Sequence, residues 1–223
     1  MTLDSNDLAA GPNRGRAKLI AGAVAAGFLT GMAGVYGIGG FQRNAGGDAA
    51  CQAAVDIAKR IAPFARGEVA AVTIATKPRR VPELAFLEGG DTQRTLQQWR
   101  GRFVLLNIWA TYCGPCKEEM PALDALQTKL GGPLFEVVAV NYDPRDLKKA
   151  KIWLNENGIS QLAFYGDSEG RVFPDLKIAG LAIGTPTSVL IDQQGCEIAK
   201  IEGPADWASD DAVKLVQAAL AQR

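Results

Sequence analysis

The apolar spacing of the chain changes several times along its length. Leu19 to Phe41 contains no charged residue, whereas Arg14, Arg16 and Lys18 precede it and Arg43 follows it. As a helix rising about 1.5 Å per residue, that run reaches roughly 34 Å, enough for a hydrocarbon core of about 30 Å. Residues 19–41 are therefore expected to form a single transmembrane anchor. A buried soluble helix of this length would carry a polar face, and this run has none. The cations on its N-terminal side place a tail, residues 1–18, in the cytoplasm and everything beyond the span in the periplasm. A cleaved signal peptide is the alternative, but its apolar region is about 7–15 residues long. The nearest candidate cut, after Ala45, also has Arg43 where a small side chain is wanted. A lipoprotein site at Cys51 fails, because Asp48 stands where an aliphatic residue belongs. Both surviving readings export the rest of the chain.

Residues 42–50 read as a short linker, with Asp48 able to cap a helix from Ala49. Cys51, Ala54, Val55, Ala58, Ile61, Ala62 and Ala65 recur at helical spacing, so this extension should dock on the main domain with Cys51 facing inward. Leu84 to Phe86, Gly89-Gly90 and the segment to Thr95 predict a hairpin. Phe103 to Ala110 is an almost unbroken apolar run of strand length, the pattern of a strand covered on both faces. A helix follows from Pro115 to Leu130, stopped by Gly131-Gly132-Pro133. Glu136 to Asn141 is the next buried strand, and Leu147 to Asn157 a helix stopped by Gly158. Thr187 to Ile191 and Glu197 to Ile201 form a hairpin around Asp192-Gln193-Gln194-Gly195. Ser209 caps a last helix whose inner face carries Ala212, Val213, Val216, Ala219 and Leu220. This order predicts an α/β domain with a mixed sheet over residues 51–223.

Composition narrows the chemistry. Twenty-four basic residues balance 24 acidic ones, so the basic excess of a nucleic-acid binder is missing. The 48% hydrophobic content supports a real core. The chain has no histidine, which removes serine triads, Cys-His pairs and metal sites built on imidazole. Four cysteines remain.

Two of them, Cys113 and Cys116, lie in Trp109-Ala110-Thr111-Tyr112-Cys113-Gly114-Pro115-Cys116, after the strongest strand and at the start of a helix. The first amides of a helix have no backbone partner and the positive end of its dipole lies there. A thiolate on Cys113 is stabilised in that place. Lowering a thiol pKa from about 8.5 to about 7 is worth roughly 2 kcal/mol. Cys116, one turn in, can close an intramolecular disulfide with it. A tetrahedral zinc site would need a second ligand pair, which is missing. A two-thiolate Cu(I) carrier and a purely structural pair are the other readings. The strand–CxxC–helix context favours redox chemistry, with no metal and no cofactor.

Trp109 to Cys116, with Pro121 five residues on, resembles the thioredoxin active site, and Gly184-Thr185-Pro186-Thr187 resembles the cis-proline loop of that fold. More closely, the chain resembles the TlpA-type membrane-anchored, thioredoxin-like proteins. The likeness includes the anchor, a cysteine in the extension, Glu118-Glu119-Met120-Pro121-Ala122-Leu123, Gly184 to Glu197, and Gly203-Pro204-Ala205-Asp206-Trp207-Ala208. It implies a thioredoxin fold, a mixed central sheet flanked by helices, with an N-terminal helical extension. It also implies a periplasmic thiol:disulfide reductase recharged by a membrane electron donor of the DsbD/CcdA type. The clients so implied are oxidase copper-assembly proteins, in cytochrome oxidase biogenesis, or alternatively apocytochrome c. Cys113 would attack and Cys116 resolve, with Tyr112, Gly114, Pro115, Thr185 and the cis Pro186 facing the substrate. A plain proline at the start of a strand is the other reading of Pro186.

The chain departs from the pattern in two places. Tyr112 stands where many relatives have tryptophan. Asn107 stands where thioredoxins have a buried aspartate serving the second thiol, so the proton must pass to water or to another carboxylate, Glu119 or Glu118. Both acids read better as solvated residues in the first turns of a helix. Gly114-Pro115 places no donor side chain between the sulfurs, which favours the reducing end of a range of about 150 mV, or roughly 7 kcal/mol. With Cys113 and Cys116 assigned to each other, Cys51 and Cys196 are left as partners in an oxidising compartment. Their bond would be structural, the alternative being a second redox pair.

Overall fold

The computed structural model describes residues 48–143 and 147–221. The expected cytoplasmic tail, the 19–41 span and the linker up to residue 47 lie outside the described residues. No helix among the described residues is long and apolar enough to cross a membrane. Residues 48–50, expected to be linker, belong to the folded domain. Asp48 accepts the Ala50 N–H at 2.9 Å and caps a 3-10 turn over Ala49–Cys51.

That turn leads into α1 (Gln52–Ile61). Cys51, Ala54, Ala58 and Ile61 are buried along one face. The inward face ends sooner than its spacing predicts: Ala62 is exposed and Ala65 only half-buried. Pro63 has no N–H to continue the α-helical ladder, so the chain tightens into a 3-10 turn over Ala62–Phe64.

Eight strands among the described residues form one sheet, in the order β1-β8-β7-β4-β5-β6-β2-β3. They are β1 (Thr73–Ile74), β2 (Ala85–Glu88), β3 (Thr92–Thr95), β4 (Phe103–Trp109), β5 (Phe135–Asn141), β6 (Tyr165–Gly166), β7 (Thr187–Ile191) and β8 (Glu197–Glu202). The β2–β3 turn places Gly89 and Gly90 at φ of 64° and 95°, a conformation that only glycine adopts without strain. β4 runs parallel to β5 and antiparallel to β7, and each of its residues is buried. Its side chains alternate between two cores. Phe103, Leu105 and Trp109 pack on one face, and Val104, Leu106 and Ile108 on the other.

The first face is covered by α1, α2 (Gly114–Leu130), α3 (Leu147–Glu156) and α5 (Asp210–Leu220), the second by α4 (Val172–Ile178) with Leu96 and Trp99 of a 3-10 turn. The fold is the expected α/β sandwich with a mixed sheet. The elements that the apolar spacing does not announce are short: β1, β6, α4 and 3-10 turns over Gly67–Val69, just before β1, and Leu96–Trp99. Two strand residues or two helical turns hold too few positions to show a period.

A disulfide joins Cys51 to Cys196 across 145 residues, with their Cα atoms 5.6 Å apart. Both residues are buried, at 1% and 0% exposure, so neither sulfur is open to exchange with another thiol. Together with the Arg60 Nε–H bond to the Ala218 carbonyl at 2.9 Å, it ties the extension to β8 and α5. Closing so long a loop constrains the unfolded chain, and losing such a bond costs about 2–5 kcal/mol. A Cys51→Ser, Cys196→Ser variant should therefore melt roughly 5–15 °C lower. Calorimetry checks this; an unchanged midpoint would show that the bond does not hold the extension in place.

Candidate active site

β4 is hydrogen-bonded on both edges and buried on both faces, so its carboxyl end is held firmly. The chain leaves it at Trp109 and reaches α2 within four residues. Two contacts shape the link. The Thr111 N–H is received by Asp143 at 2.9 Å to Oδ1 and 3.2 Å to Oδ2, and the Cys113 N–H by the Ala110 carbonyl at 3.1 Å. Asp143 is held in turn by its own N–H, which donates to Asn141 Oδ1 at 3.1 Å.

Cys113 is the N-cap of α2, one residue earlier than the expected helix start at Pro115 would imply. Its Sγ accepts the Cys116 N–H at 3.2 Å. The sulfur thus faces the unpaired amides and the positive end of the helix dipole. Cys113 and Cys116 form a disulfide with Cα atoms 5.3 Å apart. The two are unequal: Cys116 is fully buried, Cys113 only half-buried, and Gly114 and Pro115 between them are exposed. Tyr112 is 63% exposed and forms the lip beside Cys113.

Behind Cys116 lies a polar cluster that corrects the reading of Glu119 as a solvated acid. Glu119 is only 3% exposed. Three residues beyond Cys116 on α2, it shares the inward face with Cys116, Met120 and Leu123. That i, i+3, i+4, i+7 spacing was present in the sequence and could have placed it inside. Trp207 Nε1–H donates to Glu119 Oε1 at 2.6 Å, the Ala205 N–H to the same oxygen at 3.3 Å, and Asn107 Nδ2–H to Oε2 at 3.2 Å. Asn107 meets Glu119 because the two-residue period of β4 sends it to the α2 face, between Leu105 and Trp109. Asn107 also donates to Ser188 Oγ at 2.9 Å. Burial pushes the Glu119 carboxyl up to about 7, although the donors from Trp207, Ala205 and Asn107 pull it the other way. Glu118, by contrast, is exposed. Glu119 reaches solvent through a cleft of about 330 Å³ that Glu68, Glu118 and the 204–206 segment also line.

The Thr185–Pro186 peptide bond is cis. Ile108 pairs with Thr187, so Pro186 sits beside the carboxyl end of β4, next to the loop that carries Cys113. Tyr142 joins the two loops. Its ring meets that of Tyr112 edge to face, with centroids 6.0 Å apart, and its hydroxyl lies 3.3 Å from Thr185 Oγ1. Tyr142 was not anticipated; its position just beyond the strand parallel to β4 is the feature that places it. Tyr112, Cys113, Cys116, Thr185 and Pro186 are thus gathered at one end of the sheet. Cys51 and Cys196 are at the other, since Thr187 pairs with Glu202 while Ile191 pairs with Glu197.

A family model described as Redoxin matches residues 76–216. The thiol-disulfide oxidoreductase ResA of Bacillus thuringiensis subsp. konkukian (strain 97-27) is 32% identical over 117 residues, covering 52% of this chain and 63% of ResA. The thiol:disulfide interchange protein DsbE of Pseudomonas aeruginosa is 30% identical over 130 residues, covering 58% of this chain and 67% of that protein. The chain thus spans less than two thirds of the length of ResA. Among solved structures, a Chlorobium tepidum protein described as thiol:disulfide interchange protein DsbE superposes with a TM-score of 0.55 at 27% identity, covering 64% of this chain and 96% of that one. Because the matched family span exceeds half of the chain and encloses β4, both sulfurs of the 113–116 pair, Glu119 and the cis proline, the chain belongs to the redoxin family.

Proposed function

We propose that this protein is a thiol:disulfide oxidoreductase that reduces disulfides in client proteins. The observation that carries the reading is the inequality of the two sulfurs: an accessible one at a helix N-terminus and a buried one beside a carboxyl tuned close to neutrality. In the reduced protein, the Cys113 thiolate attacks one sulfur of a client disulfide. The client S–S bond breaks, a Cys113–client bond forms, and the other client sulfur leaves as a thiolate that takes up a proton. Cys116 then gives its proton to the Glu119 carboxylate and attacks Cys113 Sγ. The mixed disulfide breaks and the second client thiolate leaves, so two electrons have passed to the client. The Cys113–Cys116 disulfide of this structure is the product state. A dithiol donor must return it to the reduced form.

The reducing direction is supported by Gly114-Pro115, which offers no side-chain donor to stabilise the thiolate further. We place the domain outside the inner membrane, anchored by residues 19–41. That placement rests on the uncharged run with its flanking cations and on the buried Cys51–Cys196 bond, of a kind that persists in oxidising compartments. The resemblance to TlpA-type proteins supports a role in cytochrome oxidase copper-centre biogenesis, with apocytochrome c as the alternative client and a DsbD/CcdA-type electron donor.

Cys113→Ser should abolish reduction of a model disulfide such as insulin, and Cys116→Ser should accumulate the mixed disulfide, visible as a reducible adduct by mass spectrometry. Normal turnover by Cys113→Ser would sink the assignment. Glu119→Gln should slow the resolving step by about 10²-fold or more, the usual contribution of a placed base, while leaving the first attack fast. In the parent protein the resolving step should slow as pH falls through about 7, because the carboxyl there becomes protonated and can accept nothing. Stability carries the opposite sign. The folded protein keeps a proton that the unfolded chain has released, so stability falls as pH rises from the ordinary carboxyl range to about 7. Glu119→Gln should flatten that dependence in urea titrations at several pH values.

A further inference from the structure

Between β8 and α5, the segment Gly203-Pro204-Ala205-Asp206-Trp207-Ala208 belongs to no strand or helix, yet it supplies two of the three donors on Glu119. We infer that Trp207 is a positioning residue for the redox pair: its indole N–H holds the Glu119 carboxyl in the orientation from which it exchanges a proton with Cys116. This inference rests on the reading of Cys113 and Cys116 as a redox pair with Glu119 as proton acceptor.

The geometry makes Trp207 the dominant hold. Its bond to Glu119 Oε1, at 2.6 Å, is the shortest of the three. The Ala205 N–H is farther, at 3.3 Å, and the Asn107 amide, at 3.2 Å to the other oxygen, also serves Ser188 Oγ. Trp207 is 2% exposed and its indole can only donate, so the pairing with Glu119 satisfies both groups at once. The ring is fixed from outside the site. The Trp207 N–H bonds the Ala205 carbonyl at 3.1 Å, the Ala208 N–H bonds Asp206 Oδ1 at 3.0 Å, and Ser209, the N-cap of α5, bonds the Asp206 carbonyl at 2.6 Å. The indole therefore reaches the site from a braced turn, with its ring packed in the same core as Cys116.

Among the described residues, the charged groups that line the cleft with Glu119 are of one sign. Glu68 lines the cleft from the turn before β1, Glu118 from α2, and Asp206 from the segment that carries Trp207. β4 and β7 contribute only the neutral Asn107 and Ser188. Among the described residues no cation lines the cleft to offset a charge on Glu119, so donated hydrogen bonds supply the stabilisation, and bonds to an ionised acceptor are the strong ones. Removing the indole N–H leaves burial and the neighbouring acids less opposed, and the carboxyl then holds its proton to higher pH.

The test is an infrared titration of the buried carboxyl in the oxidised, full-length chain, with Glu119→Gln assigning the band. Trp207→Phe should raise the midpoint by about one pH unit, a tenfold weaker acid, and should move the pH profile of the resolving step in the same direction. Because phenylalanine is smaller than the indole, a second variant carries 3-benzothienylalanine at position 207, which keeps the ring shape and has no N–H. An upward shift in that variant supports the inference, whatever becomes of Trp207→Phe. A midpoint unchanged in the folded 3-benzothienylalanine variant would overturn it. The titration requires no turnover, so a protein that reduces no client would sink the functional reading and still report on Trp207.

Discussion

The immobility of one strand end governs the chemistry of this domain. β4 has partners along both edges and a packed core on each face, so the residues that follow Trp109 are delivered to a fixed point. There the chain turns directly into a helix whose first amides need acceptors, and the Cys113 sulfur is the side chain that receives one of them, from Cys116. The same anchoring sets the neighbourhood. Asp143 and Tyr142 follow the parallel strand β5, Pro186 precedes the antiparallel strand β7, and all converge on the one loop.

Placing a carboxyl beside the second sulfur has a cost that the surrounding groups only partly offset. Isolated in an apolar core, Glu119 would remain protonated and could take no proton from Cys116. Fully compensated, it would stay ionised and bind one poorly. Three N–H donors at unequal distances, set against burial, bring it near neutrality, where it can do both. Stability is given up for this: at neutral pH the folded protein carries an ionisable group that the unfolded chain would solvate more comfortably.

The two disulfides show how one sheet keeps different chemistry apart. Both involve the β4–β7–β8 ladder, but at opposite ends. Cys51–Cys196 lies among buried apolar residues, tying the extension down, with no sulfur presented to a thiolate. Cys113–Cys116 places one sulfur within reach of a partner. Exposure and the field of a helix N-terminus, rather than any difference between the cysteines themselves, separate the inert bond from the exchangeable one.

Much of this was legible in the residues. The doubly buried run Phe103 to Ala110, the CxxC at a helix start and the hairpin around Gly195 have long or distinctive local patterns, and the structure carries them with end shifts of about a residue. β1, β6 and α4 are too short to leave a period, and they exist because neighbouring strands and a second core face hold them. The placement of Glu119 was the instructive failure. An acid in the first turns of a helix reads as solvated, because local sequence reports helix-dipole preference and not which face another layer will cover. Sequence determined that a cysteine pair sits where a strand meets a helix. Only the tertiary structure decided that Asn107, Glu119 and Trp207, from a strand, a helix and an irregular turn far apart in the chain, would meet behind it, because hydrogen bonds across layers depend on distances that no stretch of sequence encodes.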